Sequence, residues 1–230
     1  MKNTIKVGLS AVAALAIVSS AHAFSGQDAV QYSYNGGAFV TVATDTDGDG
    51  LMTGNISIGG FNINFISTQT YPFIGSQAAP NMDLQVQGKG QVAGESLVIE
   101  FSTINFTPIP PGSYITDLGL SDDPAVTATE TTRVGGNSLF ASGVSAATIG
   151  GTSTGGFEST LASPVAGQSN PYSITTSVKI NVNANAVNNN GAVSVRDHVR
   201  VVPDGGNTLM LLGSALSVLG IGAFRKSRKA

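Results

Sequence analysis

The chain has 230 residues, 29 glycines, no cysteine, no tryptophan and only 11% charged residues. Such sparse charge excludes a coiled coil and a basic nucleic-acid binder, and a hydrophobic share of 41% excludes charge-driven disorder. The lack of cysteine excludes a disulfide scaffold, and at ~100–200 residues per domain the length suits one domain.

In chain order, residues 1–23 read as an export signal. Lys2 and Lys6 form a positive start, Val7 to Val18 an apolar core, and Ala21-His22-Ala23 a small-residue cleavage site, so processing falls between Ala23 and Phe24. The apolar run is shorter than the ~20 residues of a spanning helix, which favours a cleaved signal over an anchor.

Residues 24–201 read as strands and turns throughout. Val30–Tyr34 and Phe39–Val42 flank Asn35-Gly36-Gly37; Ile56–Ile58 and Phe61–Ile66 flank Gly59-Gly60. Leu84–Val86 and Leu97–Phe101 flank a loop with Gly88, Gly90 and Gly94, and Val126–Thr132 is rich in threonine, which suits a strand. Ile174, Val178, Ile180, Val182 and Ala184 alternate with Thr175, Ser177, Lys179, Asn181 and Asn183. Val193, Val195, Val199 and Val201 resume that period beyond Asn188-Asn189-Asn190-Gly191, so the pair reads as a hairpin with its apolar face inward. No stretch of this body keeps a helical period. The expected fold is all-β, an antiparallel sandwich or jelly roll. Residues 135–156, rich in Gly, Ser and Thr, read as edge strands, a long loop or both.

One motif carries metal chemistry. Asp45-Thr46-Asp47-Gly48-Asp49-Gly50 has Asp at positions 1, 3 and 5 and Gly at 6, the first half of a calcium loop. Odd spacing lets Asp45, Asp47 and Asp49 converge. Position 12, where a bidentate Glu belongs, is Ile56, and no helices flank the loop. The motif therefore reads either as a calcium site completed from elsewhere in the fold or as an Asp/Gly turn.

Catalytic signals are weaker. Gly151-Thr152-Ser153-Thr154-Gly155 matches a nucleophile elbow in letters, but it lacks the strand–turn–helix setting. His198 and Asp197 are adjacent, and neighbours on a strand face opposite ways. Glu95, Glu100, Asp117, Asp122, Asp123, Glu130 and Glu158 are available for a glycosidase pair, which requires two acids across a cleft. Sugar stacking would need exposed aromatics; the candidates are Tyr32, Tyr34, Tyr71, Tyr114 and Tyr172, since most Phe lie in apolar alternation and read as core. Thr127, Thr129 and Thr131 share one strand face, too few for an ice-binding array.

The C-terminus is a second membrane signal. Val202-Pro203-Asp204-Gly205-Gly206 lies in a polar turn that runs to Thr208; Leu209–Phe224 is apolar; Arg225, Lys226, Arg228 and Lys229 close the chain. Sixteen helical residues span about 24 Å, nearly a bilayer core, with the basic end held in the cytoplasm. This order of motif, helix and basic cluster resembles the PEP-CTERM tails recognised by exosortases, above all the VPDSG-type variant, with Gly205 in place of Ser. The body resembles a PEP-CTERM group of unassigned function through Tyr71-Pro72-Phe73-Ile74-Gly75-Ser76, Pro80-Asn81-Met82-Asp83-Leu84, Leu97–Ser102 and Pro171–Thr175. The resemblance implies processing by an exosortase-type enzyme, transient residence of the tail in the inner membrane, and delivery to the cell surface or the exopolysaccharide matrix.

Residues 24–204 hold five cations against all fourteen acids, a net charge near −9. That disfavours nucleic acid and is compatible with neutral glycans and divalent cations. The reading is an exported, non-enzymatic surface or matrix protein with a signal (1–23), a β-sandwich (24–201) and a sorting tail (202–230). A glycan-binding module with a structural calcium is the alternative, and a glycoside-active enzyme is third.

Overall fold

Two apolar faces, each lining one side of a sheet, organise the chain. The computed structural model describes residues 27–107, 112–120, 125–152, 157–162, 171–183 and 191–203. These form β1 (Asp28–Tyr34), β2 (Val40–Thr44), β3 (Leu51–Ile58), β4 (Phe61–Gln69), β5 (Asn81–Gly90), β6 (Ser96–Phe106), β7 (Gly112–Leu120), β8 (Val126–Gly136), β9 (Val144–Thr152), β10 (Phe157–Ala162), β11 (Tyr172–Val182) and β12 (Ala192–Pro203). Sheet A has the order β2-β1-β6-β11-β8-β9 and sheet B the order β10-β7-β12-β5-β4-β3. Every pairing is antiparallel. The expected all-β, two-sheet architecture is present. The signal segment with Ala23 and Phe24, the tail from Asp204 through Gly205 and Gly206 to the basic end, and the Leu209–Phe224 helix lie outside the described residues.

The core follows from period-2 alternation. Leu97, Ile99 and Phe101 of β6 and Ile174, Val178 and Ile180 of β11 point inward from sheet A; Ile63 and Ile66 of β4, Leu84 and Val86 of β5 and Val195 and Val199 of β12 point inward from sheet B. Each such side chain, fully withdrawn from water, contributes roughly 1.5–3 kcal/mol.

Two of the expected hairpins form. β1 folds back on β2 with Tyr32 opposite Val40, and β3 on β4 with Ile58 opposite Phe61. Phe39, expected in the second strand, lies just outside it and is exposed, because β2 is an edge strand with little burial. The expected hairpin between 174–184 and 193–201 does not form. β11 pairs with β6 and β8, whereas β12 pairs with β5 and β7 in the other sheet. β5 and β6 are likewise split between the sheets. Alternation dictates which face of a strand is buried, but it carries no information on which strand lies alongside. The β5–β6 connection is an arch across the sandwich. Part of the uncertain stretch 135–156 is strand: β9 pairs with β8 from Thr127–Thr152 to Val134–Val144.

Polar groups also enter the core. Asp197 occupies the inward position between Val195 and Val199, and Glu130 the one between Ala128 and Thr132; both are fully buried. The Thr176 hydroxyl donates to Asp197 Oδ2 and also reaches Glu130 Oε1 at 3.3 Å, which links the sheets through two acids. Glu130 Oε2 and Asp197 Oδ1 take no hydrogen bond. Burial pushes Glu130 up to about 7. Burial, then the charge of Glu130, holds Asp197 well above the carboxylate range. A carboxyl that stays protonated in the fold but ionises when unfolded stabilises at low pH and loses that contribution as pH rises. Stability should therefore fall between about pH 4 and pH 8, by on the order of 3 kcal/mol from Glu130 alone. Urea unfolding across that range checks it, and Glu130→Gln should flatten the slope.

Candidate functional site

The Asp45–Gly50 loop is the arch from β2 in sheet A to β3 in sheet B. It is organised by its own first residue. Asp45 is buried, with Oδ1 accepting from Gly48 N at 2.7 Å and Oδ2 from Gly50 N at 3.0 Å. Asp49 Oδ1 accepts from Leu51 N at 2.8 Å. Gly48 and Gly50 adopt φ of 73° and 77°, the left-handed region that Gly enters without penalty. The Thr70 amide donates to Gly50 O at 2.9 Å and ties the loop to the end of β4. One carboxylate oxygen from each of Asp45, Asp47 and Asp49 lies within 4.8 Å of the others. The three predicted ligands are thus brought together at a spacing that fits one metal ion. Contact with Asp45 and the charge of Asp49 raise the Asp47 carboxyl above its ordinary value. Ile56, at the position where the motif lacks its Glu, is buried in the core.

Behind Asp45 stands an acid that the sequence reading passed over. Asp28 is 2% exposed on the inward face of β1. Burial pushes its carboxyl up to about 7, with Thr103 donating to it and Asp45 adding repulsion. Its only signal in the sequence was a charge in phase with Val30 and Tyr32.

Of the other predicted acids, Glu95, Glu100 and Asp117 are held in structural contacts, as is Asp83. Glu95 accepts from Tyr34 Oη at 2.5 Å and Gly60 N at 2.7 Å, clamping the β3–β4 turn to β1. Glu100 lies 2.6 Å from Arg133 and also accepts from Gln31 on the outer face of sheet A. Asp83 pairs with Arg196 at 3.3 Å, and Asp117 with Arg200 at 3.6 Å. His198 faces outward, 2.6 Å from Asn81 Oδ1, while Asp197 faces inward, so the two neighbours diverge as expected. Burial lowers the His198 pKa. Asp122 and Asp123 lie outside the described residues, as do Ser153, Thr154 and Gly155.

The outer face of sheet B carries a groove. It has a volume of about 450 Å³ and is lined by Asn62, Asn64, Gln87, Gly88, Lys89, Val193 and Ser194. A bulge in β4 shapes its rim. Ile63 pairs with Gly88 and Phe65 with Gln87, which leaves Asn64 as the extra residue. The bulge turns Phe65 outward, 39% exposed, although simple alternation from Phe61 would place it in the core. Phe65, Gln87 and Ser194 form one row across three strands. The tyrosines make no such surface. Tyr114 and Tyr172 are buried with their hydroxyls 3.2 Å apart, and Tyr32 and Tyr34 pack against the core. Sequence reading missed this groove; its trace was the stretch Phe61-Asn62-Ile63-Asn64-Phe65-Ile66, where alternation admits either phase.

No protein-family model and no curated protein matches the chain. Among solved structures it is similar to the adhesin domain of Epf from Streptococcus pyogenes, at 11% identity and a TM-score of 0.40 over 77% of this chain. The chain spans 58% of that domain's length. It is also similar to the module TmCBM61 in complex with β-1,4-galactotriose, at 12% identity and a TM-score of 0.31, covering 60% of this chain and 87% of the module. Carbohydrate-binding modules of the β-sandwich superfamily match at 8% identity and a TM-score of 0.35, covering 74% of this chain and 82% of theirs. At these values the likenesses carry no argument, and the reading below rests on the chain's own residues.

The loop itself is open to test. A Cβ on Gly50 would sit 2.6 Å from Thr70 O and 2.9 Å from Tyr71 O, whereas one on Gly36, at a similar φ of 72°, meets nothing within 4 Å. Gly36→Ala should lose ~1–2 kcal/mol from left-handed backbone strain alone, and Gly50→Ala clearly more. Urea denaturation of the two variants side by side measures the difference.

Proposed function

We propose that this chain is an exported, non-enzymatic protein of the cell surface or extracellular polymer matrix, and that the outer face of sheet B lies against a hydroxyl-rich polysaccharide. The observation that carries this is the Phe65–Gln87–Ser194 row beside Asn62 and Asn64. Side-chain amides both donate and accept, so they match vicinal hydroxyls. An exposed ring offers an apolar plane to the CH face of a sugar. The net charge near −9 over residues 24–204 favours a neutral polymer over a phosphate-rich one. Export and sorting rest on the sequence patterns at 1–23 and 202–230, which imply an exosortase-type partner and a tail that passes through the inner membrane.

The non-enzymatic reading is supported by how the acids are used. Glu95, Glu100, Asp83 and Asp117 are each engaged by a hydrogen-bond or ionic partner. The two that face each other, Glu130 and Asp197, are closed inside the core, where no substrate reaches them.

Affinity electrophoresis of the full chain through gels containing neutral β-glucans or galactans tests the proposal, with alginate as the acidic control. Retardation by a neutral polymer is expected, and Phe65→Ala combined with Gln87→Ala should weaken it by about tenfold or more, equivalent to about 1.4 kcal/mol. No retardation of the wild type, or equal retardation of the double variant, would overturn the assignment of this face.

A further inference from the structure

We infer that Asp28 completes a calcium site with Asp45, Asp47 and Asp49, supplying from β1 the carboxylate that the loop motif lacks at Ile56. The inference stands apart from the polysaccharide reading, and it is tested with the metal alone.

Three observations converge on it. The loop acids already place one oxygen each within 4.8 Å of the others, with Asp45 fixed by two backbone amides. Asp28 and Asp45 are neighbours across the β1–β2 ladder: the Asp45 amide donates to Asp28 O at 3.0 Å, and the pairing continues as Ala29–Thr44. Residues directly opposite on antiparallel strands share a face, which puts the Asp28 and Asp45 side chains on the same side of the sheet. The third observation lies outside the loop. Asp28 Oδ1 is buried and takes no hydrogen bond, although the residue is only 2% exposed. A buried carboxylate oxygen with no donor is costly, unless a cation supplies the missing partner.

The donor set selects the metal. Four carboxylates without histidine or cysteine form a hard, all-oxygen set. Calcium accepts six to eight oxygens in adaptable geometry, so carboxylates from a loop and from a neighbouring strand can share it with water. Magnesium requires a near-ideal octahedron and holds its waters, which suits this set less well.

The test is calorimetric titration of calcium chloride into the EDTA-stripped full chain, beside Asp28→Asn and Asp47→Ala. Saturable binding is expected in the wild type, lost in Asp47→Ala and weakened by about tenfold or more in Asp28→Asn. Asp28→Asn should melt at or above the wild-type temperature in EDTA, because it removes a carboxyl crowded against Asp45. Binding that is lost in Asp47→Ala but unchanged in Asp28→Asn would leave a three-acid loop site and overturn the role of Asp28. No binding by the wild type would overturn the site itself. Hydrogen exchange on the wild type decides the matter without a variant. Calcium should slow exchange both in the loop and at Asp28–Ala29 of β1, and protection confined to the loop would count against Asp28.

Discussion

Everything else in this molecule depends on two sheets closing their apolar faces on each other. There is no disulfide to hold the chain, and few ion pairs are in reach of a sequence that is only 11% charged. Leu97, Ile99 and Phe101 from one side and Ile63, Leu84 and Val86 from the other exclude water from a common layer. That closure places β5, β12 and β4 so that their outer faces form one polar surface. It also forces the connections to cross from sheet to sheet, and the Asp loop is one of these crossings. The groove and the acid cluster are thus by-products of how the core is shut, on different parts of the same shell.

Some departures from apolar-in, polar-out patterning coincide with the features of interest. Asp28 puts a charge inward beside the acid loop. Glu130 and Asp197 put a polar link through the middle of the sandwich, with Thr132 and Thr176 donating to them. Phe65 puts a ring outward beside the groove. Sequences locally break their own rules where a site or a constraint outweighs packing. In Glu95 the same logic serves structure: its two hydrogen bonds hold a glycine turn against Tyr34, whose hydroxyl occupies the space where a Gly59 side chain would begin.

Local pattern made most of the strands legible, though not β7 or β10, along with the two short hairpins and the convergence of Asp45, Asp47 and Asp49. Strand partnership was not legible between residues 174 and 201. A hairpin and an arch bury the same alternate residues, and the difference lies in contacts with β5 and β6, far earlier in the chain. Asp28 escaped notice because its meaning depends on the strand opposite. Phe65 drew no notice because a bulge shifts the phase of alternation by one residue without leaving a distinctive letter. Glu100 and Asp117, two of the acids that looked available for catalysis, were accounted for only once their partners, Arg133 and Arg200, came from other strands.

The position of β12 has a mechanical consequence. It lies inside sheet B, paired with β5 from Ala192 to Arg200 and with β7 from Val195 to Pro203. Val202 and Pro203, the first residues of the segment that resembles a sorting motif, therefore belong to the last paired stretch of an interior strand. Tension applied at Pro203 runs along the strand axis and loads two hydrogen-bonded ladders in shear, so many bonds must fail together. An edge strand would peel one bond at a time. Survival under load is governed by the unfolding rate rather than by equilibrium stability, and a domain held through an interior strand resists being pulled apart from that end.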